Sequence, residues 1–251
     1  MYVALGDSMS IDRYAGGEGR GAASLFYRNH PDWPEFAGRD LLSIFPDLAF
    51  RLLAFDGATS EGVLSLQVPT LRELPVRPRV ITLTVGGNDV LTYFGIGERD
   101  GDQAARHLRV RLERILEACC SVVGDLGCVL AGTIYDPTDG TGQIEGSGFP
   151  LWGDAMAVLE RFNRTIAEVV AEFPARLVDI HRHFCGHGAW VQGPAARPDR
   201  GNDPATWYTQ LIEPNARGAH EIRKLFWDAF LESPLGRSLE EAPGRTGGPA
   251  R

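Results

Sequence analysis

The chain opens with the stretch Tyr2-Val-Ala-Leu-Gly-Asp-Ser-Met-Ser-Ile-Asp-Arg-Tyr14. Its short apolar run ends at Gly6, which is typical of a buried strand that stops in a tight turn. The turn carries Asp7 and the hydroxyl of Ser8. In open parallel α/β sheets, ligands bind in the crevice outside the carboxyl ends of the strands. The stretch therefore predicts an α/β fold with Ser8 as a candidate nucleophile at the ligand-binding edge.

Length and composition indicate one globular domain. The chain has 251 residues, of which 43% are hydrophobic and 23% are charged, as in ordinary globular proteins. A net charge of −8 argues against nucleic acid or an anionic membrane as a partner, because both require a basic face. No apolar run approaches the roughly 20 residues of a membrane helix. The sequence shows no basic-then-apolar leader, so we expect a cytoplasmic protein.

Strand and helix patterns alternate along the chain. Strands are predicted from Tyr2 and over Ala49–Phe55, Val80–Val85, Cys128–Ile134 and Ala175–Asp179. Helical spacing of apolar residues occurs within Trp33–Phe45, Leu108–Leu126, Leu159–Phe173 and Ile222–Phe230. Such alternation favours a parallel sheet covered on both faces. We predict a single three-layer, flavodoxin-like α/β domain with a five-stranded parallel sheet over residues 1–232, and a disordered tail over 233–251.

Small polar clusters follow each of the first three predicted strands. They are Gly6-Asp7-Ser8, Asp56-Gly57-Ala58-Thr59 and Gly86-Gly87-Asn88-Asp89. In this order and approximate spacing, Gly-Asp-Ser, Gly57 and Gly-x-Asn-Asp resemble the blocks of the SGNH (GDSL-type) hydrolases. The resemblance extends from Tyr2 to about Phe230. It implies a serine esterase of three-layer α/β fold.

The resemblance also assigns roles to three of these residues. It makes Ser8 the nucleophile, and it makes the Ser8 N–H, the Gly57 N–H and the Asn88 amide the donors of an oxyanion hole. By itself, Asn88 is equally typical of a turn or a helix cap, and Ser8 of a helix cap. Asp7 is expected to fix the turn by local hydrogen bonds.

The fourth block departs from the family pattern. The family has Asp-x-x-His-Pro-Asn-x-x-Gly, in which His is the general base and Asp orients it. This chain reads Gln210-Leu-Ile-Glu213-Pro214-Asn215-Ala-Arg-Gly218. Glu213 thus takes the position of the base, and the Gln210 amide is expected to hold it by a hydrogen bond. Partial burial would raise the pKa of Glu213 toward neutral pH.

Other candidates for the base remain open. His181, His183 and His187 lie in the segment after the fifth strand, on the side of the sheet expected to carry Ser8. His187 sits between two glycines and is the candidate we retain beside Glu213. His220 is expected on an outer helix face. A site without a competent base is a further possibility.

The sequence implies neither a metal nor an organic cofactor. The oxygen-rich turn Asp136–Gly142 lacks the distal Glu of a calcium loop and is interpreted as a plain turn. The four cysteines show no metal-site spacing and are expected to be reduced thiols.

We therefore expect a hydrolase of a small carboxylic ester, an O-acetyl group or a short acyl chain, acting through an acyl-serine. The alternatives are a pseudoenzyme that binds a ligand or partner, and an acyltransferase that uses the same site. The segments Ala15–Pro34 and Gly140–Pro150 are expected to shape the pocket.

Overall fold

Five parallel strands form the central sheet of this computed structural model, which describes residues 1–124, 127–143, 147–148, 150–188 and 206–240. The strands are β1 (Tyr2–Gly6), β2 (Phe50–Leu52), β3 (Val80–Thr84), β4 (Cys128–Gly132) and β5 (Arg176–Val178). Their order is β2-β1-β3-β4-β5. Gly6 pairs with Thr84, and Thr84 with Gly132, so the three central strands end at one level. This arrangement confirms the predicted flavodoxin-like fold.

Burial explains which strands the sequence predicts best. Every residue of β1, β3 and β4 is buried, because helices cover both faces of these central strands. The outer strands β2 and β5 have three residues each and are partly exposed. They are shorter than their apolar patterns suggested.

Two helical layers enclose the sheet. One layer contains α3 (Ser60–Gly62), α4 (Val68–Arg72), α6 (Glu98–Val123) and α7 (Ala155–Ala171). The other contains α1 (Ala22–Tyr27) and α9 (Ala216–Leu231). Shorter elements are the 3₁₀ turn Pro34–Phe36, α2 (Leu41–Ile44), the π-helical turn Val63–Gln67, α5 (Gly87–Thr92), α8 (Ile180–Phe184) and α10 (Pro234–Glu240). None of the helices in the described ranges is long and apolar enough to cross a membrane.

Three segments differ from the sequence predictions. The helix expected within Trp33–Phe45 is divided, because Gly38 takes a φ of +80° and Asp40 caps a new helix at Leu41. The expected irregular segment Ala15–Pro34 contains α1. The expected disordered tail is wrong for 234–240, where α10 packs its buried Leu235 against the core. Residues 241–251 lie outside the described part.

A short hairpin precedes α9 at the carboxyl edge of the sheet. It pairs β6 (Tyr208–Thr209) with antiparallel β7 (Glu213–Pro214) and was not predicted. Its connection contains Gln210 and Leu211, both with positive φ. This hairpin carries the fourth sequence block.

Candidate active site

The turn after β1 places Ser8 at the carboxyl edge of the sheet. Gly6 has a φ of +128°, and a Cβ there would collide with the carbonyl oxygen of Thr84, so only glycine fits. Asp7 Oδ1 accepts hydrogen bonds from the Met9 N–H (3.1 Å) and the Thr84 hydroxyl (2.9 Å). Asp7 therefore fixes the turn, as the sequence suggested, and Ser8 is the next residue along.

Asp7 is buried directly beside the candidate nucleophile Ser8. Burial raises its pKa to about 7; the hydrogen bonds from Thr84 and Met9 oppose this rise, and the negative charges of Glu213 and Asp89 add to it. Asp7 is only 1% exposed, and yet it lines the same cavity as Ser8. Asp7 is thus a buried acid whose neutral form is favoured.

The second and third blocks are joined to each other by hydrogen bonds. The Asn88 amide donates to the carbonyl oxygen of Ala58 (3.0 Å). The Asp89 carboxylate accepts from the Ser60 N–H (2.8 Å) and from the Ser60 hydroxyl. Asn88 uses one amide hydrogen in this way, which leaves the second for another acceptor. The third block thereby holds the loop that carries Gly57.

The Ser8 and Gly57 N–H groups are the two backbone donors that the sequence assigns to the oxyanion site. Within the described ranges, neither the Ser8 N–H nor the Gly57 N–H has a hydrogen-bond partner. Gly57 takes a φ of +76°, a left-handed backbone conformation that favours glycine. Space does not require a glycine there, because a Cβ would meet no atom within 4 Å. Gly57 itself does not line the cavity that contains Ser8 and Asn88. It lies two residues past Phe55, whose N–H binds the Gly6 carbonyl (3.2 Å).

The Pro214-Asn215-x-x-Gly218 frame positions the hairpin against α9. Asn215 accepts a hydrogen bond from the Gly218 N–H and donates to the carbonyls of Thr206 and Tyr208. A Cβ at Gly218 would collide with the carbonyl oxygen of Trp207. These contacts explain why Asn and Gly are required in this frame and fix β7 at the edge of the site.

Tyr135 holds the other side of the hairpin. Its hydroxyl donates to the Ile212 carbonyl over 2.6 Å. Burial, with the charges of Glu213 and Asp7, raises the pKa of Tyr135 well above its ordinary value, so the hydroxyl keeps its proton. Tyr135 follows β4 and was not predicted as a site residue. Its position just after the carboxyl end of a strand is the one sequence feature that could have indicated it.

Glu213 faces Ser8 across the cavity. Burial raises the pKa of Glu213, hydrogen bonding with Ser8 lowers it, and nearby Asp56 and Arg13 exert opposing smaller effects. Glu213 Oε2 is buried and, in the described part of the chain, has no hydrogen-bond partner. The structure therefore brings a carboxylate of raised pKa to the candidate nucleophile.

Gln210 does not hold Glu213 as expected. Its residue is exposed and its φ is +45°, which places it at the turn of the hairpin. In the described part of the chain, no hydrogen bond joins its side chain to Glu213. The three-residue connection separates the two residues, since Thr209 rather than Gln210 pairs with Glu213.

The structure does not bring the candidate histidines to Ser8. His187 stacks on Trp207, with ring centroids 3.5 Å apart, and both line a separate depression together with His183. His183 Nε2 lies 2.9 Å from Glu221 Oε2. His181 Nδ1 lies 3.1 Å from the carbonyl oxygen of Ile134. The cavity lining includes none of the three.

His220 is buried, which corrects the expected outer position. It stacks on Trp33 with ring centroids 3.7 Å apart and accepts a hydrogen bond at Nδ1 from Arg223. Burial and the Arg223 charge lower its pKa to about 3. It serves the packing of α9 against the Trp33 segment.

A largely apolar cavity of about 390 Å³ adjoins Ser8. Ser8, Asn88, Gln210 and Glu213 line its polar part. Its apolar lining includes Val90, Leu91, Phe94, Ile134, Trp152, Met156, Leu159 and Ile212. This volume is in the range of ordinary small-molecule sites. Side chains of α5 and α7 form much of the cavity wall. From the sequence patterns, such side chains were expected only to pack in the hydrophobic core.

The turn Asp136–Gly142 borders the same cavity. Asp136 accepts hydrogen bonds from the Thr138 N–H, the Thr138 hydroxyl and the Gly140 N–H. Asp139 accepts from the N–H groups of Gly186 and Gly188. These carboxylates are therefore used to shape the turn and to attach the segment after α8.

The chain belongs to the GDSL-like Lipase/Acylhydrolase family, whose model matches residues 4–220. This match confirms the resemblance to the SGNH (GDSL-type) hydrolases. No curated protein sequence matches the chain.

Solved structures of esterases share the fold at low sequence identity. An extracellular lipase from Streptomyces rimosus is 18% identical with a TM-score of 0.60, covering 91% of this chain and 98% of its own. A member of the lipolytic protein G-D-S-L family from Veillonella parvula is 16% identical with a TM-score of 0.58, covering 91% and 97%. The acetylxylan esterase Axe2 from Geobacillus stearothermophilus is 14% identical with a TM-score of 0.56, covering 91% and 92%. These likenesses concern the fold.

Proposed function

We propose that this protein is an ester hydrolase that acts through an acyl-serine intermediate on Ser8, with Glu213 as general base. One observation carries the proposal: Ser8, Asn88 and Glu213 line a single cavity at the carboxyl edge of the sheet. Nucleophile, base and oxyanion donor are the groups that acyl transfer requires. Hydrogen bonding with Ser8 also lowers the pKa of Glu213, which is consistent with proton transfer between the two side chains.

Acylation begins with attack of Ser8 Oγ on the ester carbonyl carbon. The Ser8 proton passes to the Glu213 carboxylate as the new C–O bond forms. The Ser8 N–H, the Gly57 N–H and the free Asn88 amide hydrogen then stabilise the oxyanion. When the intermediate collapses, the bond to the alcohol breaks and the Glu213 carboxylic acid returns the proton to the leaving alkoxide.

Deacylation repeats these steps with water. The Glu213 carboxylate takes a proton from water as its oxygen attacks the acyl carbon, and the same donors stabilise the second oxyanion. Collapse releases the carboxylic acid and returns the proton to Ser8. A raised pKa suits Glu213 for both roles, because it makes the carboxylate a better base near neutral pH.

The cavity favours an acyl group longer than the acetyl or short acyl chain expected from the sequence. Its apolar lining offers few partners for a polar acyl group. Leu91, Phe94 and Leu211 line it while remaining 38–45% exposed, so apolar side chains also surround its entrance. A linear apolar chain would replace contacts with water by contacts with these side chains.

A binding module without turnover is the second candidate. The position of His183 and His187 away from Ser8 favours it, because loss of a positioned base typically costs 10²–10⁴ in rate. An acyltransferase would use the same groups with an alcohol in place of water.

Labelling with a fluorophosphonate probe tests for an activated serine. We expect the wild-type protein to be labelled at Ser8 and Ser8→Ala to remain unlabelled, with both variants folded by circular dichroism. A folded wild-type protein that does not react, under conditions that label a serine esterase standard, would contradict the proposal and favour the binding module.

A further inference from the structure

The side chain of Gln67 forms two hydrogen bonds with the backbone of Gly6, two residues before Ser8. Its Oε1 accepts from the Gly6 N–H (2.7 Å), and its Nε2 donates to the Gly6 carbonyl (2.8 Å). Gln67 is 2% exposed. The buried Gln67 amide thus binds both the N–H and the carbonyl of Gly6. Gly6 is the residue at which the turn that carries Ser8 begins.

Sheet geometry leaves this position open for a side chain. The polar groups of Tyr2, Ala4 and Gly6 face β2: the Ala4 carbonyl accepts from Leu53 and Ala54, and the Gly6 carbonyl from Phe55. The ladder with β2 ends at the pair Ala4–Leu52. The Gly6 N–H therefore has no strand neighbour on that side, and Gln67 supplies the missing acceptor.

A local break in helical geometry orients Gln67 toward Gly6. Residues Val63–Gln67 form a π-helical turn between α3 and α4, closed by a hydrogen bond from the Val68 N–H to the Val63 carbonyl. Pro69 follows and has no N–H to continue α-helical bonding. Such π turns are rare and often occur at functional sites.

Gly6 cannot be held by a side chain of its own. With a φ of +128° it lies against the Thr84 carbonyl, where a Cβ would collide. Its peptide groups are the remaining means of fixing the start of the turn. An error in their orientation passes directly to Asp7 and to the N–H and Oγ of Ser8.

We infer that Gln67 is a positioning residue for the nucleophile: through the Gly6 backbone it fixes the Ser8 hydroxyl and N–H for attack. This inference rests on the proposed esterase function. Displacement of a reacting group by about 1 Å costs on the order of 10²-fold in rate. Gln67 does not line the cavity, so its loss should affect kcat and leave KM nearly unchanged.

The first test replaces Gln67 by Met, which keeps its length and removes both hydrogen bonds. We expect Gln67→Met to slow fluorophosphonate labelling of Ser8 about 10²-fold. Thr82→Val is the matched control, because it removes a buried hydrogen bond of β1 (2.8 Å between the Tyr2 and Thr82 hydroxyls, from β1 to β3) away from the turn. This control should lose stability and keep the wild-type labelling rate. A folded Gln67→Met that labels at the wild-type rate would overturn the inference.

A second variant gives a signature that general destabilisation does not produce. In Gln67→Glu, a protonated carboxyl can both donate to and accept from Gly6, whereas the carboxylate can only accept. The labelling rate of Gln67→Glu relative to wild type at the same pH should therefore rise as the pH falls. A ratio that is independent of pH would contradict the inference, and this variant decides the matter if Gln67→Met does not fold.

Hydrogen exchange separates this inference from the proposed function. If the wild-type protein does not label at all, the esterase proposal fails, and exchange of the Gly6–Met9 amides still tests the contact. Faster exchange in Gln67→Met than in Thr82→Val would support the role of Gln67 in holding the turn. Equal exchange in the two variants would overturn it.

Discussion

Asp7 and Glu213 are two acids in one small site, and both have a raised pKa. Burial is the largest cause for each, and the charge of Glu213 adds to the rise at Asp7. Two nearby carboxyls cannot both ionise without cost. The deeper Asp7 therefore favours its neutral form, which leaves Glu213 as the carboxylate that can accept a proton. Environments that separate two acids in this way are typical of acid–base sites.

Asp7→Asn should remove a pH-dependent loss of stability. The folded-state pKa of Asp7 is about 7, above its ordinary value of 3.8. Its contribution to stability is therefore full below pH 3.8 and is lost as the pH rises through 7. At about 1.4 kcal/mol per pKa unit, the loss reaches roughly 4 kcal/mol. About 3 kcal/mol of this loss, for about two pKa units, falls between pH 5 and pH 8, where chemical denaturation of both proteins measures it.

The wild-type protein should lose stability relative to Asp7→Asn between these two pH values. Asn can still accept the hydrogen bonds from Met9 and Thr84 through its side-chain oxygen. A stability difference that is the same at pH 5 and pH 8 would show that Asp7 titrates near its ordinary pKa.

The hairpin β6–β7 is the element that carries Glu213, the proposed base. Gln210 and Leu211 take positive φ values, which disfavour residues with a side chain by roughly 1–2 kcal/mol each. The contacts of Tyr135 and Asn215 stabilise this conformation. Strain that is held by surrounding contacts often marks a functional position.

Removing the hydroxyl of Tyr135 should disturb catalysis more than stability. We expect Tyr135→Phe to lower kcat about tenfold, because Ile212 loses its hydrogen bond next to Glu213, and to cost about 1 kcal/mol of stability. Tyr27→Phe is the control, since it removes a similar bond from a tyrosine hydroxyl to the Leu48 carbonyl (2.9 Å). Steady-state kinetics and thermal unfolding of both variants measure the two effects. Equal effects on kcat would contradict a positioning role for the hairpin.

Sequence patterns predict long elements well and the hairpin not at all. The strand Val80–Thr84 is buried throughout, and the helix Ala155–Ala171 buries apolar residues at helical spacing, so both show a clear apolar pattern in the sequence. The two-residue strands β6 and β7 are too short for any alternation, and Gln-Leu is not a residue pair that indicates positive φ. Asn163 similarly binds both polar groups of Ile134 from α7, a contact with no signal in either segment.

At the scale of the whole molecule, the candidate site lies at the carboxyl edge of the sheet. The order of the blocks after β1, β2 and β3 predicts that Ser8, Gly57 and Asn88 belong to one edge, and parallel pairing brings this about. The cavity could not be predicted, because α5, α7 and the hairpin meet only in the folded chain. For the same reason, sequence alone could not separate Glu213 from the histidines.

Acyl-chain preference tests the size of the cavity. We expect kcat/KM for p-nitrophenyl esters to rise from acetate toward longer chains by about fourfold per methylene, as expected for about 0.8 kcal/mol per buried CH₂, until the cavity is full. Leu159→Trp should shift the optimum toward shorter chains, because Leu159 lines the cavity and is 5% exposed. A preference for acetate in both proteins would contradict an apolar acyl site.

The pH dependence of ester hydrolysis in base variants tests the central claim most directly. For wild type, kcat/KM should fall as the pH drops through the raised pKa of Glu213, since the protonated acid cannot accept the Ser8 proton. Glu213→Gln should lose 10²–10⁴ in kcat/KM and this acid limb, whereas His187→Ala and His183→Ala should keep both. Unchanged hydrolysis in Glu213→Gln, or loss of the acid limb in a histidine variant, would contradict the assignment of Glu213 as the base for Ser8.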